Sequence, residues 1–408
     1  MTRGSFATGL IKSSVVGAFL LGAFVTQASA QGAKSWWDGV TYDALVQGGI
    51  TGNPDNPPIS NFGQLFQDKA NEFMFNQLLL TAQRPIDAKK DWDTGFKFQF
   101  MYGSDARYTH FLGELDDVTD DRVQLDIVEN YLNFKTPWIG KGGMEIKLGQ
   151  YVTLEGAEVI DPRGDYFYSH SYIFNFGIPF KHTGVMTTTH WNDMIDIYAG
   201  ADTGVNTTFG PKGDNNDSGA FHGGFGLHLL NNNLNILAST HIGPENPHDN
   251  TDIRYLNDIT AVWKLGDKWT STTDFNFIHD DIGGGQDGGG IAQYFAYTIN
   301  DWLSAGIRGE FWRDVQGFYV AEFPCNLCFE DFEEGNPKGI AIGAGPATYT
   351  ELTLGLNIKP FSNASYKPLA GMLVRPEVRW DHSFLTNAYD GFTDNNQFTV
   401  ASDFYIVF

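Results

Sequence analysis

Charged side chains gather at two places where they could do chemistry together. Between residues 153 and 179 stand Glu155, Glu158, Asp161, Arg163 and Asp165, followed by the aromatic run Tyr166-Phe167-Tyr168. Later in the chain, Arg308, Lys359, Arg375 and Arg379 sit in segments where polar and apolar residues alternate. Carboxylates set opposite basic groups across a wet gap create a transverse field, which orients dipolar solutes and penalises apolar ones. That is sorting chemistry, not bond-making chemistry. Two alternatives stay open at this level. The 153–179 stretch could lie outside as a lid, and the arginines could pair locally with Glu310, Glu377 and Asp381, as charges on one strand face often do.

Catalysis and metal binding have weaker signals. The ten histidines form no H-E-x-x-H, and no G-x-S-x-G supplies a serine nucleophile. A Ser/His or Asp/His hydrolase site assembled from distant strands is a lesser alternative, so no enzyme activity and no catalytic residue is assigned. Asp214-Asn-Asn-Asp-Ser-Gly219 opens like a calcium loop, but its twelfth position is Phe225 rather than Glu. Gly283–Gly290 resembles one calcium-binding repeat, and a lone copy cannot stack. Cys325-Asn-Leu-Cys328 lacks the βαβ context of a redox motif, and no further cysteine completes a zinc site. A small loop disulfide in an oxidising compartment is the expected role. No cofactor and no metal is expected.

The elements that must position these charges are strands. Arg3 and Lys12, the apolar stretch Val15–Val25 and Ala28-Ser29-Ala30 read as a signal segment, 1–30, cleaved on export; an uncleaved anchor is the alternative. The mature chain, 31–408, reads as a single domain. It is strongly acidic, with 49 Asp and Glu against 26 Lys and Arg over the full sequence. Such a chain offers no cationic field to nucleic acid. Aromatics make up 15% of the residues, glycines number 47, and no later run approaches the ~18 apolar residues of a membrane helix.

Instead, segments of about ten residues alternate apolar and polar side chains. Leu352, Leu354, Leu356 and Ile358 alternate with Glu351, Thr353, Asn357 and Lys359, and Phe96, Phe98, Phe100 and Tyr102 with Lys97 and Gln99. Strands are expected at 40–51, 70–83, 93–103, 122–136, 143–152, 180–191, 193–203, 219–230, 233–243, 254–265, 269–280, 290–299, 302–313, 347–360, 371–384 and 396–408. Connections alternate between long (52–69, 104–121, 153–179, 204–218, 244–253, 281–289, 314–346, 385–395) and short (Trp191-Asn192, Asn231-Asn232, Gly266-Asp267-Lys268, Asn300-Asp301), with 84–92 and 361–370 the longer members of the short class. A soluble sandwich has no reason to sort loops by parity. An all-β, transmembrane antiparallel barrel of about 16 strands does, with long outer loops and short periplasmic turns. Phe404, Ile406 and Phe408 lie on one face of the last strand and look like the signal that outer-membrane barrels present to the barrel-assembly machinery.

Four stretches resemble the OmpL-like β-barrel porins of Gram-negative bacteria: Asn76-Gln77-Leu78, Gly95–Arg107, Leu148-Gly-Gln-Tyr-Val-Thr-Leu-Glu-Gly-Ala-Glu158 and Tyr168–Val185. The chain departs from the family in having Ala199-Gly200-Ala201-Asp202 where an Asn-Gly-Trp is expected. The resemblance implies an outer-membrane location and passive diffusion of small polar solutes or ions, with no substrate assigned. In porins of this size the third long loop folds into the lumen, which makes 153–179 the expected constriction loop and Arg308, Lys359, Arg375 and Arg379 the expected pore-lining basic wall. A homotrimer embedded in outer-membrane lipid is the expected assembly. A solute-specific channel, for instance for an oligosaccharide read by Tyr166, Phe167 and Tyr168, is one alternative; a plugged structural or adhesive barrel is another. Acidic outer connections such as Glu114–Asp117 and Glu330–Glu334 would give a mild cation preference if they line the mouth, or would merely hydrate the surface and bridge divalent ions to anionic lipid.

Overall fold

The structure, a computed structural model, describes residues 35–408; the predicted signal segment lies outside the described residues. Sixteen strands close one antiparallel barrel: β1 (Thr41–Gly52), β2 (Phe73–Arg84), β3 (Asp93–Gly103), β4 (Gln124–Thr136), β5 (Gly143–Val152), β6 (Lys181–Asn192), β7 (Ile195–Asp202), β8 (Ala220–Leu229), β9 (Leu234–Pro244), β10 (Ile253–Leu265), β11 (Trp269–Asp280), β12 (Gln286–Asn300), β13 (Leu303–Asp314), β16 (Ala347–Ile358), β17 (Leu373–Ser383) and β18 (Asn396–Val407). A two-residue hairpin, β14 (Ala321–Glu322) with β15 (Ile342–Gly343), sits in the longest connection. Each barrel strand pairs with its chain neighbours, and β1 seals against β18 from Leu45↔Val407 to Gly52↔Val400. Closure leaves no strand edge unpaired, the condition for a backbone that crosses hydrocarbon as strands.

Burial is inverted relative to a soluble protein. On β16, Leu352, Leu354 and Leu356 are 42%, 47% and 38% exposed, whereas Glu351 and Thr353 are 2% and 0% exposed. The same inversion sets exposed Phe275 and Phe277 against buried Asp274 and Asn276 on β11, and exposed Phe398 and Val400 against buried Gln397 and Thr399 on β18. Period-two alternation thus sends the greasy set outward to lipid and the polar set inward. Exposed Trp92, Trp138, Trp191, Trp269 and Trp302 stand near the tight turns, where indole rings suit a membrane–water boundary. Phe404, Ile406 and Phe408 keep the outward parity of β18, and the Phe408 N–H donates to Ala44 O at 2.8 Å, so the last residue joins the closing seam.

Strand limits move by up to four residues from those expected, and two of the shifts bear on the site. β12 begins at Gln286 rather than 290, because Gly288, Gly289 and Gly290 continue the ladder opposite Ile278, Phe277 and Asn276. A side chain at Gly288 would meet Tyr319 and Trp312, so glycine there marks close packing and not a turn. At the other limit β16 ends at Ile358, one residue before Lys359.

Candidate functional site: the inward loop and its walls

Residues 153–180, between β5 and β6, enter the barrel instead of leaving it. An irregular segment buried this way exposes backbone N–H and C=O groups that must find partners. Inward positions of the wall supply both kinds. Carboxylates take the N–H groups: Glu377 accepts from Tyr168 (2.9 Å) and Ser169 (3.0 Å), and Glu310 from Tyr172 (2.7 Å) and Ile173 (2.9 Å). Asp258 and Asp274 accept from Gly156 and Ala157 at 3.1 and 2.9 Å. Guanidiniums take the carbonyls: Arg308 donates to Ser169 O (2.6 Å), Arg375 to Asp165 O (2.9 Å) and Arg379 to His170 O (2.5 Å). The loop therefore rests on the arc of wall running from β10 through β18 and across the closing seam onto β1 and β2, where Gln77 donates to Ile160 O at 2.8 Å.

Its aromatic run is seated rather than displayed. Tyr168 lies against Gly49 and donates its hydroxyl to Asn76 Oδ1 at 2.9 Å, and Tyr166 lies against Gly306 and reaches Ser304 Oγ at 3.0 Å. A Cβ at Gly49 or Gly306 would stand 2.5 or 2.3 Å from the ring, so these inward positions are open to the loop only as glycine. Phe167 and Tyr168 are buried.

The predicted loop acids part ways. Glu158 joins the wall, accepting from Arg308 Nη1 at 2.7 Å and the Tyr294 hydroxyl at 3.0 Å; burial would raise its carboxyl, but Arg308 holds it down at about 2. Asp161 pairs with Arg163 inside the loop, and Arg163 extends to Asp43 on β1 at 3.2 Å. Asp165 is buried and accepts from Val159 N; burial, reinforced by Glu158, pushes its carboxyl well up. Glu155 turns to the opposite wall, 3.0 Å from His222 Nε2.

The basic wall also differs from the expected one. Arg308, Arg375 and Arg379 point inward but are at most 2% exposed, each already matched by a strand carboxylate: Glu351 (2.6 Å), Asp403 (2.6 Å) and Asp381 (2.7 Å). They hold the loop; they do not face it across water. Asp381 is the one local partner expected from the sequence, while Glu310 and Glu377 serve the loop backbone. Lys359 is no part of this wall. It lies past the end of β16 in a turn and is exposed.

Water-accessible inward groups lie on the other wall, toward the tight-turn end. His190 (β6) and His228 (β8) flank Asp196 (β7) at 2.8 and 3.0 Å, with the histidine side chains a third exposed; Glu145 (β5) and the Lys97–Glu129 ion pair continue the row. The opposite end is covered. Phe62 and Phe66 from 53–72, Tyr108 from 104–123, Phe323 and Phe329 from 315–346 and Tyr389 from 384–395 pack over Tyr172, Phe174 and Phe180 of the inward loop. Arg107 clamps Asp68 beneath them with two bonds of 2.7 and 3.0 Å. Cys325 and Cys328 are joined by a disulfide at the start of the short helix Cys328–Glu333 in this cap.

Sequence reasoning missed the anchoring role of Asp258, Asp274, Glu310 and Glu377. Their inward parity was available; which loop atoms they would meet was not.

The family model described as "Putative beta-barrel porin-2, OmpL-like" matches residues 39–408. Among curated proteins none matches significantly. Among solved structures, an anion-selective porin from Comamonas acidovorans superposes with a TM-score of 0.57 at 9% identity, covering 90% of this chain and 99% of that one. The outer-membrane channel DcaP of Acinetobacter baumannii gives 0.54 at 11% identity, with 90% and 96% covered. The trimer form of OmpT from Vibrio cholerae gives 0.53 at 13%, with 90% and 98% covered.

Proposed function

Since the chain belongs to the OmpL-like β-barrel porin family and is thereby an outer-membrane channel, we propose that it passes small hydrophilic solutes or ions by passive diffusion through a lumen narrowed by residues 153–180. The observation that carries this reading is the uneven docking of the loop: past its first turn, where Glu155 meets His222 on β8, it is bound to β10–β18 and on to β1 and β2, and not to the tight-turn end of β4–β8. Arg308, Arg375, Arg379, Glu310 and Glu377 bind it to one wall, while the opposite wall keeps Lys97, Glu145, His190 and His228 partly accessible to water. In this reading Glu158 and Arg308 set the position of the constriction, and mixed charge on the accessible wall favours polar over apolar permeants. The channel does not catalyse.

The aromatic cap argues for a second feature of the same function. Because outer loops cover the mouth, conduction is gated by their displacement, and the resting channel is nearly closed. An aromatic track for a sugar is disfavoured, since Phe167 and Tyr168 are buried against the wall. Export by cleavage of 1–30, insertion through the Phe404-Ile406-Phe408 face and assembly as a homotrimer complete the proposal; the trimer rests on the described form of the Vibrio OmpT relative in fold. Liposome swelling with sugars of rising size tests the whole reading. Swelling that declines with solute size is expected; none with any solute or ion would leave a plugged barrel.

A further inference from the structure

Where the inward loop leaves β5, three histidines from three strands meet under it. His182 (β6), His222 (β8) and His241 (β9) are at most 1% exposed, and Glu155, Asp202 and Glu245 surround them. We propose that this pocket is a binding site for a divalent transition-metal ion, Zn²⁺ by its donor set, with Glu155, His182 and His222 as protein ligands and Asp202, His241 and Glu245 behind them.

Ligand atoms of Glu155, His182 and His222 lie within 4.8 Å of one another, all buried. The pocket is also unsatisfied as it stands. His222 is fully buried, yet neither ring nitrogen makes a hydrogen bond, although Nε2 is 3.0 Å from Glu155 Oε2 and Nδ1 is 3.7 Å from Asp202 Oδ2. Glu155 Oε1, Asp202 Oδ2 and Glu245 Oε1 lack partners as well. Buried polar atoms are rarely left unbonded in native proteins, and imidazole and carboxylate groups converging with unbonded atoms are what a cation collects.

The surroundings match a metal's outer shell, in which each ligating imidazole presents its far nitrogen to an acceptor. His182 Nδ1 lies 3.3 Å from Gly204 O, which leaves Nε2 against the Thr153 hydroxyl at 3.1 Å, a hydroxyl that donates in turn to Glu155 and that the ion would displace; His222 Nδ1 faces Asp202. Asp202 is itself fixed by Gly204 N (3.0 Å) and His241 Nε2 (3.0 Å), and Glu245 by Val205 N (2.7 Å). Among the described residues, the three carboxylates have no ion-pair partners other than the histidines. Two imidazoles and one carboxylate suit zinc with a fourth, solvent position, whereas calcium and magnesium prefer all-oxygen sets. The ion would tie the first turn of the loop to β6 and β8, opposite its arginine anchors.

The test uses the refolded or membrane-extracted barrel, prepared without a histidine tag, stripped with chelator, loaded with Zn²⁺ alone and desalted. About one zinc per barrel should be retained, and Co²⁺ loading should give the visible absorption of tetrahedral cobalt. His222→Gln and Glu155→Gln should each weaken binding at least about 100-fold, and His241→Gln by about 10–100-fold, all three keeping the heat-modifiable mobility of a folded barrel. A wild-type barrel that retains no zinc overturns the proposal whatever the variants do, and so does a folded His222→Gln barrel that binds as wild type. Neither readout depends on conduction, so this inference and the channel reading can fail separately.

Discussion

Arg308 shows how a charge inside this barrel acts through what it touches. Its guanidinium is fully buried, bonded to Glu351 on the wall, to Glu158 in the loop and to the Ser169 carbonyl. Removing one member of such a buried network leaves its partners uncompensated, at a cost of about 3–5 kcal/mol. Arg308→Met should therefore release the loop locally, seen as faster proteolysis within 153–180 and a larger, noisier single-channel conductance. Arg375→Ala and Arg379→Ala should act in the same direction, since each surrenders a loop carbonyl; unchanged conductance in both would remove them from the constriction. The parity of Arg308, Arg375 and Arg379 was legible from the alternation of their strands. Apart from Asp381 beside Arg379, their partners were not, because Glu351 and Asp403 depend on the register with the neighbouring strand and Glu158 on the inward path of the loop. Lys359 shows the converse error: correct parity means nothing once the strand has ended.

At the scale of elements, the inward loop is held by shape as well as charge. Gly49→Val places a side chain where the Tyr168 ring lies and should expel that part of the loop. Conductance is expected to rise while the barrel keeps its heat-modifiable mobility; an unchanged conductance would mean that the aromatic run is not part of the narrowing. The cap carries a pH dependence. Glu330, in the helix beside the disulfide, is buried beside Asp116 and His110, and burial, opposed by His110 and reinforced by Asp116, pushes its carboxyl up to about 8. The docked cap thus favours the protonated form: its stability is full below the ordinary carboxyl range and is lost as pH rises through about 8. Channel opening should increase across that window, and Glu330→Gln should flatten the response. Strand positions were readable to within a few residues because period two and turn residues are local signals. The docking of the loop was expected from family likeness alone, and the aromatic cap was not expected at all, since loops packing on loops follow no period.

For the whole molecule, the sorting of long and short connections by parity and the inversion of burial are two views of one fact: the sheet closes with its greasy face outward. Acidic outer connections lining the covered mouth would give it a negative field, and reversal potentials in a salt gradient should then show a mild cation preference; anion preference would contradict that placement. The central claim, that a conducting lumen is narrowed by the docked loop, is tested most directly by single-channel recording of the wild-type barrel beside a variant in which residues 160–176 are replaced by a short Gly-Ser bridge. The account predicts a small, intermittently open wild-type conductance and a several-fold larger, steadier one in the variant. Equal conductances, or none in either folded protein, would contradict it.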